Sequence, residues 1–333
     1  MRRSILTLIL IIWSASAGSA APPGMEPINV AGPRPLTGHV LYPAIGGVEA
    51  PFSGGPVAEG IIVQTGGARV AGAKPLVILS HGIWGNRFNQ LWLAERLVDE
   101  GYIVLALDHP GTSTWNRDPA EGAKLWERPR DLSRLLDAFL ASPDRAASVD
   151  PSQIYAVGHS LGGYTVLAAA GARFDPDLLR AFCRTAPRAI ACRVFERLGV
   201  QADDDEALRS DLSDDRISGV IAIDPGGVPA LSPDSIAAAA RIAVISAGRT
   251  PDILNPNFEA KRLAAMGDIE HVAMSEAGHF DFLSACTPTG VEILKAEEPE
   301  AVRICEEGET PRADLHHLAA EHVVRILSRF KRQ

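Results

Sequence analysis

A three-layer α/β sandwich is the architecture this sequence predicts: a mostly parallel sheet of about eight strands between two helical layers, with a small inserted lid. Three observations lead there. From residue 75 onward, short apolar runs alternate with helix-like stretches, the pattern that gives parallel strands joined by crossover helices. One of those runs, 153–157, ends in Gly158-His159-Ser160-Leu161-Gly162, a glycine-flanked serine where a β-prone segment meets the start of a buried helix. No internal repeat, heptad array or low-complexity tract offers a competing architecture.

Taken in order, residues 1–20 carry Arg2 and Arg3, an apolar core at 5–13 and small residues from 14 on, the three zones of a secretory signal peptide. Cleavage is expected after Ala17 or Ala20. The apolar core falls well short of the roughly 20 residues that span a bilayer, so no stable membrane span is expected after cleavage. Residues 21–35, rich in proline and glycine, read as an extended arm that carries little fold information. The remainder, 36–333, reads as one α/β domain. It opens with β-like stretches at 38–42 and 60–63. Strands at 75–79, 102–107 and 153–157 then alternate with helices at 89–100, 128–140 and 161–170. Regularity lapses over about 172–216, which is read as a helical lid over the strand ends, where ligands bind in open α/β sheets. Strands at 218–223, 241–246 and 270–274 follow, with helices at 233–240 and 257–266, an insertion at 286–305 and a final amphipathic helix at 314–330.

Composition narrows the partners. The 333 residues carry a formal net charge of −9, and loss of Arg2 and Arg3 with the leader leaves 30 basic against 41 acidic side chains. Such a surface is a poor match for nucleic acid. Export gives the four cysteines an oxidising compartment, where an even count suggests disulfides; of three possible pairings, Cys183 with Cys192 and Cys286 with Cys305 is the simplest. No C-x-x-C or His-rich tract accompanies them, so no metal is expected.

The chemistry centres on Ser160. The G-x-S-x-G pattern at a strand-to-helix turn is the nucleophile elbow, and a serine hydroxyl at neutral pH needs a histidine base and an acid that orients it. His279 follows the last strand and a glycine turn, the chain order expected of that base. His271 at the start of the strand, and His316, His317 and His322 on the terminal helix, read as structural. Two aspartates fit as the acid: Asp224, at the end of the strand at 218–223 before Pro225-Gly226-Gly227, and Asp252, on the loop past the next strand. Asp281 lies too near His279 in sequence to be the preferred orienter. Acyl transfer also needs N–H donors for an oxyanion. Leu161 supplies one and Ile83, in Ser80-His81-Gly82-Ile83-Trp84-Gly85, the other, with His81 bracing that loop.

The joint set of 79–87 (LSHGIWGNR), 101–109 (GYIVLALDH), the elbow, Ala222-Ile223-Asp224 and His279-Phe280-Asp281-Phe282 resembles the α/β-hydrolase family that includes platelet-activating-factor acetylhydrolases and bacterial predicted dienelactone hydrolases. The resemblance runs from about 75 to 279. It implies Asp224 rather than Asp252, because the acetylhydrolase branch carries its acid at the end of the matching strand. Dienelactone hydrolases proper use a cysteine where this chain has Ser160. The expected protein is a secreted or periplasmic serine hydrolase that cleaves small-molecule carboxylic esters through an acyl-enzyme on Ser160, without a cofactor. Amide or peptide hydrolysis by the same residues, or a catalytically silent binding protein, are the alternatives, and oligomeric state is not encoded in any motif.

Overall fold

The computed structural model describes residues 21–200, 205–249 and 256–332; the expected signal peptide and Asp252 lie outside the described residues. The apolar runs form the middle of a ten-stranded sheet. In chain order its strands begin with β1 (Gly24–Val30), β2 (Leu36–Tyr42), β4 (Val48–Phe52), β5 (Ile61–Thr65), β7 (Lys74–Ser80) and β8 (Ile103–Asp108). They continue with β9 (Val149–His159), β10 (Gly219–Ile223), β11 (Arg241–Ala247) and β12 (Glu270–Met274), while β3 (Ala44–Ile45) and β6 (Ala68–Arg69) pair separately. The spatial order is β12-β11-β10-β9-β7-β8-β2-β1-β5-β4. The six strands from β12 to β8 are mutually parallel, and β2 joins antiparallel.

Both faces of the parallel strands are covered, which is why they read as continuous apolar runs rather than alternating ones. Leu76 and Ile78 of β7, Leu105 and Leu107 of β8, and Val220 and Ala222 of β10 face one core layer. The intervening Val77, Leu79, Val104, Ala106, Ile221 and Ile223 face the other. The first layer is closed by α3 (Glu127–Leu140), α5 (Leu161–Ala169), α9 (Pro233–Ala238) and α10 (Pro256–Ala264), the second by α1 (Leu91–Asp99) and α12 (Arg312–Arg332). Leu132, Leu135, Leu136 and Phe139 on α3 recur at helical spacing and are fully buried. Every residue of α5 is buried, as a helix without a charged side chain allows. Three short helices fill the insertion after α5: α6 (Pro176–Thr185), α7 (Ile190–Arg197) and α8 (Asp205–Arg209). Among the described residues no helix is long and apolar enough to cross a membrane.

Two strands exceed the eight expected, β1 and β4, and both contain proline. The segment read as an arm of little fold information is β1, paired antiparallel with β2 along its whole length. Its other edge meets β5 only at Gly24 and Met25, so Pro27 falls where no ladder N–H is called for. β4 is the outermost strand, where Pro51 is tolerated for the same reason. Proline content therefore hid strands that lie at or near an open edge.

The disulfides are the two local pairs. Cys183–Cys192 joins α6 to α7, and Cys286–Cys305 closes the excursion that contains α11 (Pro288–Glu297). Each removes loop entropy from the unfolded chain, and replacing Cys286 and Cys305 together by serine is expected to cost about 2–4 kcal/mol. Denaturant melts of the parent and of this double variant check the figure; equal midpoints would remove the bridge from the account of stability.

Candidate active site

Ser160 sits where β9 turns into α5, with φ 57° and ψ −120°. A non-glycine residue in that region costs of order 1–3 kcal/mol and persists only where its surroundings hold it. Here the Ser160 N–H donates to Ile223 O at 3.0 Å, and Ser160 O accepts from Gly163 N–H at 2.8 Å and Gly226 N–H at 2.9 Å. A Cβ at Gly158 would stand 2.0 Å from Gly162 O, so the flanking glycine is a steric requirement of the turn. Among the described residues only three non-glycine positions have positive φ, and the other two, Trp84 and Asp224, belong to the neighbouring loops.

The parallel register of β9 with β10 sets Ile223 beside His159, which brings the residue after each strand, Asp224 and Ser160, to one edge of the sheet. Asp224 is fully buried. Its N–H donates to Ile245 O at 2.7 Å, and its Oδ1 accepts from Ala247 N–H at 3.0 Å, so β11 fixes both its backbone and its side chain. Its Oδ2 is 2.6 Å from His279 Nδ1, and His279 Nε2 is 3.1 Å from Ser160 Oγ. A carboxylate only accepts, so Nδ1 carries the imidazole proton and Nε2 presents its lone pair to the serine hydroxyl. His279 opens a 3₁₀ turn, His279–Phe282, that Asp281 ties down: its Oδ2 accepts from Gly278 N–H at 2.7 Å and from Arg249 Nη2 at 2.8 Å. Asp281 therefore holds the turn and does not face the His279 ring nitrogens.

The loop after β7 lies against the serine so closely that a Cβ on Gly82 would stand 2.9 Å from Ser160 Cβ. Ile83 from that loop and Leu161 from the elbow line the same cleft as Ser160, Asp224 and His279. His81 braces the loop as expected. Its Nδ1 lies 2.6 Å from Gly82 O and its Nε2 accepts from His109 N–H at 3.0 Å, which fixes the proton on Nδ1. Beneath it lies a buried polar network. His109 lies between Ser80 Oγ (3.0 Å) and Asp131 Oδ2 (3.1 Å), and Arg128, 1% exposed, donates to His81 O, Thr112 Oγ1 and, at 2.8 Å, Thr165 Oγ1. Thr165 in turn donates to Leu161 O at 3.0 Å. One guanidinium thus links the loop of Ile83 to the first turn of the elbow helix. Burial, and then the Arg128 charge, holds His81 and His109 well below the usual histidine range, so both are neutral near pH 7. Burial also pushes Arg128 down to about 9.

Sequence reasoning missed three participants. In the sequence Arg128 is one charged residue among several at the start of α3. His159, inside the elbow, packs its ring 4.6 Å from that of His279 and donates from Nε2 to His279 O at 2.9 Å; burial and the neighbouring His279 hold it neutral. Glu259 of α10 is 2% exposed and lines the cleft. Burial of a charged side chain leaves no mark in helical periodicity, so only a serine-adjacent position could have flagged His159. From the insertion, Ile190, Ala191, Val194 and Phe195 of α7 form an apolar wall of the cleft. His271 meets Ser246 Oγ at 2.9 Å on β12, and His316 stacks on Trp92 and faces Leu283 O.

A model of the alpha/beta hydrolase family matches residues 77–326. Cutinase est2 of Thermobifida alba is 33% identical over 104 residues, 31% of each chain. A cutinase of Thermobifida fusca (strain YX) is 33% identical over 104 residues, 31% of this chain and 29% of its own. The matches thus span about a third of these relatives' length. A ferulic acid esterase from Streptomyces cinnamoneus superposes with a TM-score of 0.61 over 95% of this chain and 92% of its own at 19% identity, a likeness of fold.

Arg128→Met keeps the aliphatic stem but strands three acceptors in the interior. It is expected to cost about 3–5 kcal/mol, from buried acceptors left unsatisfied at roughly 1–3 kcal/mol each, with Thr165→Val, which leaves two of the three contacts, costing less. Denaturant melts of the two variants check this; a larger loss in Thr165→Val would move the support elsewhere.

Proposed function

The chain belongs to the alpha/beta hydrolase family, and we propose that it is a serine hydrolase of carboxylic esters, with Ser160 as nucleophile, His279 as general base and Asp224 as the acid that orients it. The observation that carries this reading is the unbroken run of contacts from Ser160 Oγ through the His279 ring to Asp224 Oδ2. Asp252, the alternative acid, lies outside the described residues.

With an ester carbonyl carbon at Ser160 Oγ, His279 Nε2 takes the hydroxyl proton as the Oγ–C bond forms. The carbonyl oxygen becomes an oxyanion that accepts from the N–H groups of Ile83 and Leu161. Buried Asp224 stabilises the imidazolium that develops. Collapse returns the proton from His279 to the departing alkoxide oxygen and releases the alcohol. Water then enters at the same place, gives a proton to His279 and attacks the acyl carbon, freeing the acid and restoring Ser160.

Several features support small or medium acyl esters of the acetylhydrolase-like class as substrates. The wall from α7 is apolar but short, and the cutinase relatives favour ester over amide cleavage. The insertion at 172–216 acts as the lid that shapes the acyl pocket. The leader-like residues 1–20 and the two disulfides support a periplasmic or secreted protein. The acidic surface argues against nucleic acid as a partner.

Ser160→Ala is expected to abolish turnover of a p-nitrophenyl ester and labelling by a fluorophosphonate, with circular dichroism unchanged. Turnover within tenfold of the parent would sink the nucleophile assignment. Asp224→Asn is expected to lower the rate by about 10⁴, the effect of losing the imidazole's tautomer and partner charge. Asp252→Asn should cost far less on the same ester. The reverse order of losses would transfer the acid role to Asp252.

A further inference from the structure

We propose that Glu259 is a positioning residue for this reaction, clamping the turn that carries Asp224 and supports the Ser160 elbow. The inference rests on the triad reading above and adds a residue that no motif marks. Glu259 projects from α10 into the cleft that holds Ser160, Asp224 and His279, and it is 2% exposed. Its Oε2 accepts from Val228 N–H at 2.9 Å, and the neighbouring Gly227 N–H also pulls on the carboxyl. Those two residues close a five-residue turn. At its start Asp224 takes a φ of 41°, and two residues on Gly226 N–H donates to Ser160 O at 2.9 Å. The clamp therefore acts on the segment that holds the acid in an unfavourable backbone region and touches the nucleophile's own peptide.

A buried carboxyl costs several kcal/mol unless its hydrogen bonds are used, so its burial beside a second buried carboxyl calls for a role. The groups that face it are Asp224, Arg262 of its own helix, and His279 and Ser160 across the cleft; the α7 residues lining the cleft are uncharged. Burial, with the Asp224 charge adding to it, pushes Glu259 up to about 8 against the pull of the Val228 and Gly227 N–H groups and Arg262. At neutral pH it is mostly protonated. Above that range it gains a negative charge in the cleft where the His279 imidazolium develops, so ionisation favours the transition state.

The test uses Glu259→Gln, which keeps an acceptor but does not titrate, and Glu259→Ala, which loses both the acceptor and the titrating group. Glu259→Ala is expected to lose about ten- to a hundredfold in kcat, the scale of an ångström-level displacement of catalytic groups, with KM within about threefold. Glu259→Gln should stay near the parent at pH 7 and lack a further rise of kcat/KM that the parent shows around pH 8. Amide exchange at Gly227 and Val228 should be faster in Glu259→Ala than in either other protein. An unchanged kcat in Glu259→Ala, or a Glu259→Gln that loses as much as Glu259→Ala at pH 7, overturns the proposal; should Glu259→Ala fail to fold, Glu259→Met, which fills the space without an acceptor, takes its place in the same comparison. A parent that turns over no ester defeats the esterase reading itself, and the exchange rates then still test the clamp.

Discussion

The strained backbone of Ser160 is the constraint on which the rest of this site depends. A serine at φ 57° is held only because β9 and β10 end side by side, so that Ile223 O and Gly226 N–H are both in reach of its peptide. The same adjacency places Asp224 at the end of β10, where β11 in turn fixes its carboxyl through Ala247 N–H. Parallel order and register thus do the positioning: each strand end contributes one functional backbone turn, and the next strand over supplies its hydrogen bonds. This is the physical content of a site at the carboxyl edge of an open α/β sheet.

A second layer of polar groups below the cleft has the form of the first. His109 stands between a serine and an aspartate with the same arrangement of ring nitrogens as His279, yet its exposure is zero. The difference between the two constellations is access, and with it chemistry. His109 serves the loop of Ile83, and Arg128 joins that loop to the elbow helix through Thr165. Arg34, from the turn between β1 and β2, completes the network by pairing with Asp131 at 2.9 Å. The N-terminal strand is in this way connected to the sheet edge that carries Ser160, although it lies on the far side of β2 and β8 from it.

The insertion after α5 completes the cleft from above. Its helices α6 and α7 are amphipathic, α6 is capped by Asp175, and Arg209 of α8 returns to Asp175 at 2.6 Å. The Cys183–Cys192 bridge holds α6 to α7, whose inner face supplies the apolar wall, so the bridge sets where that wall stands. Across the cleft Arg197, at the end of α7, lies 4.4 Å from the Trp84 ring centroid, a contact between the insertion and the loop of Ile83.

Local pattern determined much of this protein. The alternation of apolar runs and helices gave the layered fold, because strands buried on both faces leave continuous apolar runs. The elbow gave Ser160, because only glycine tolerates the close approach around it. Local spacing gave the two disulfides, and chain order pointed to His279. What lay beyond reach was set by contacts between residues distant in sequence. Pro27 and Pro51 are compatible with strands only where no ladder N–H is called for, past the end of the β5 pairing for one and on the outermost strand for the other, and no local pattern says where those places are. The contact of Asp224 with His279 joins positions 55 residues apart and depends on the order of β9, β10 and β11, which packing chose. Arg128, His159 and Glu259 read as ordinary polar residues because burial is a property of the assembled layers, and only in the folded chain do their charges and hydrogen bonds meet the groups they serve.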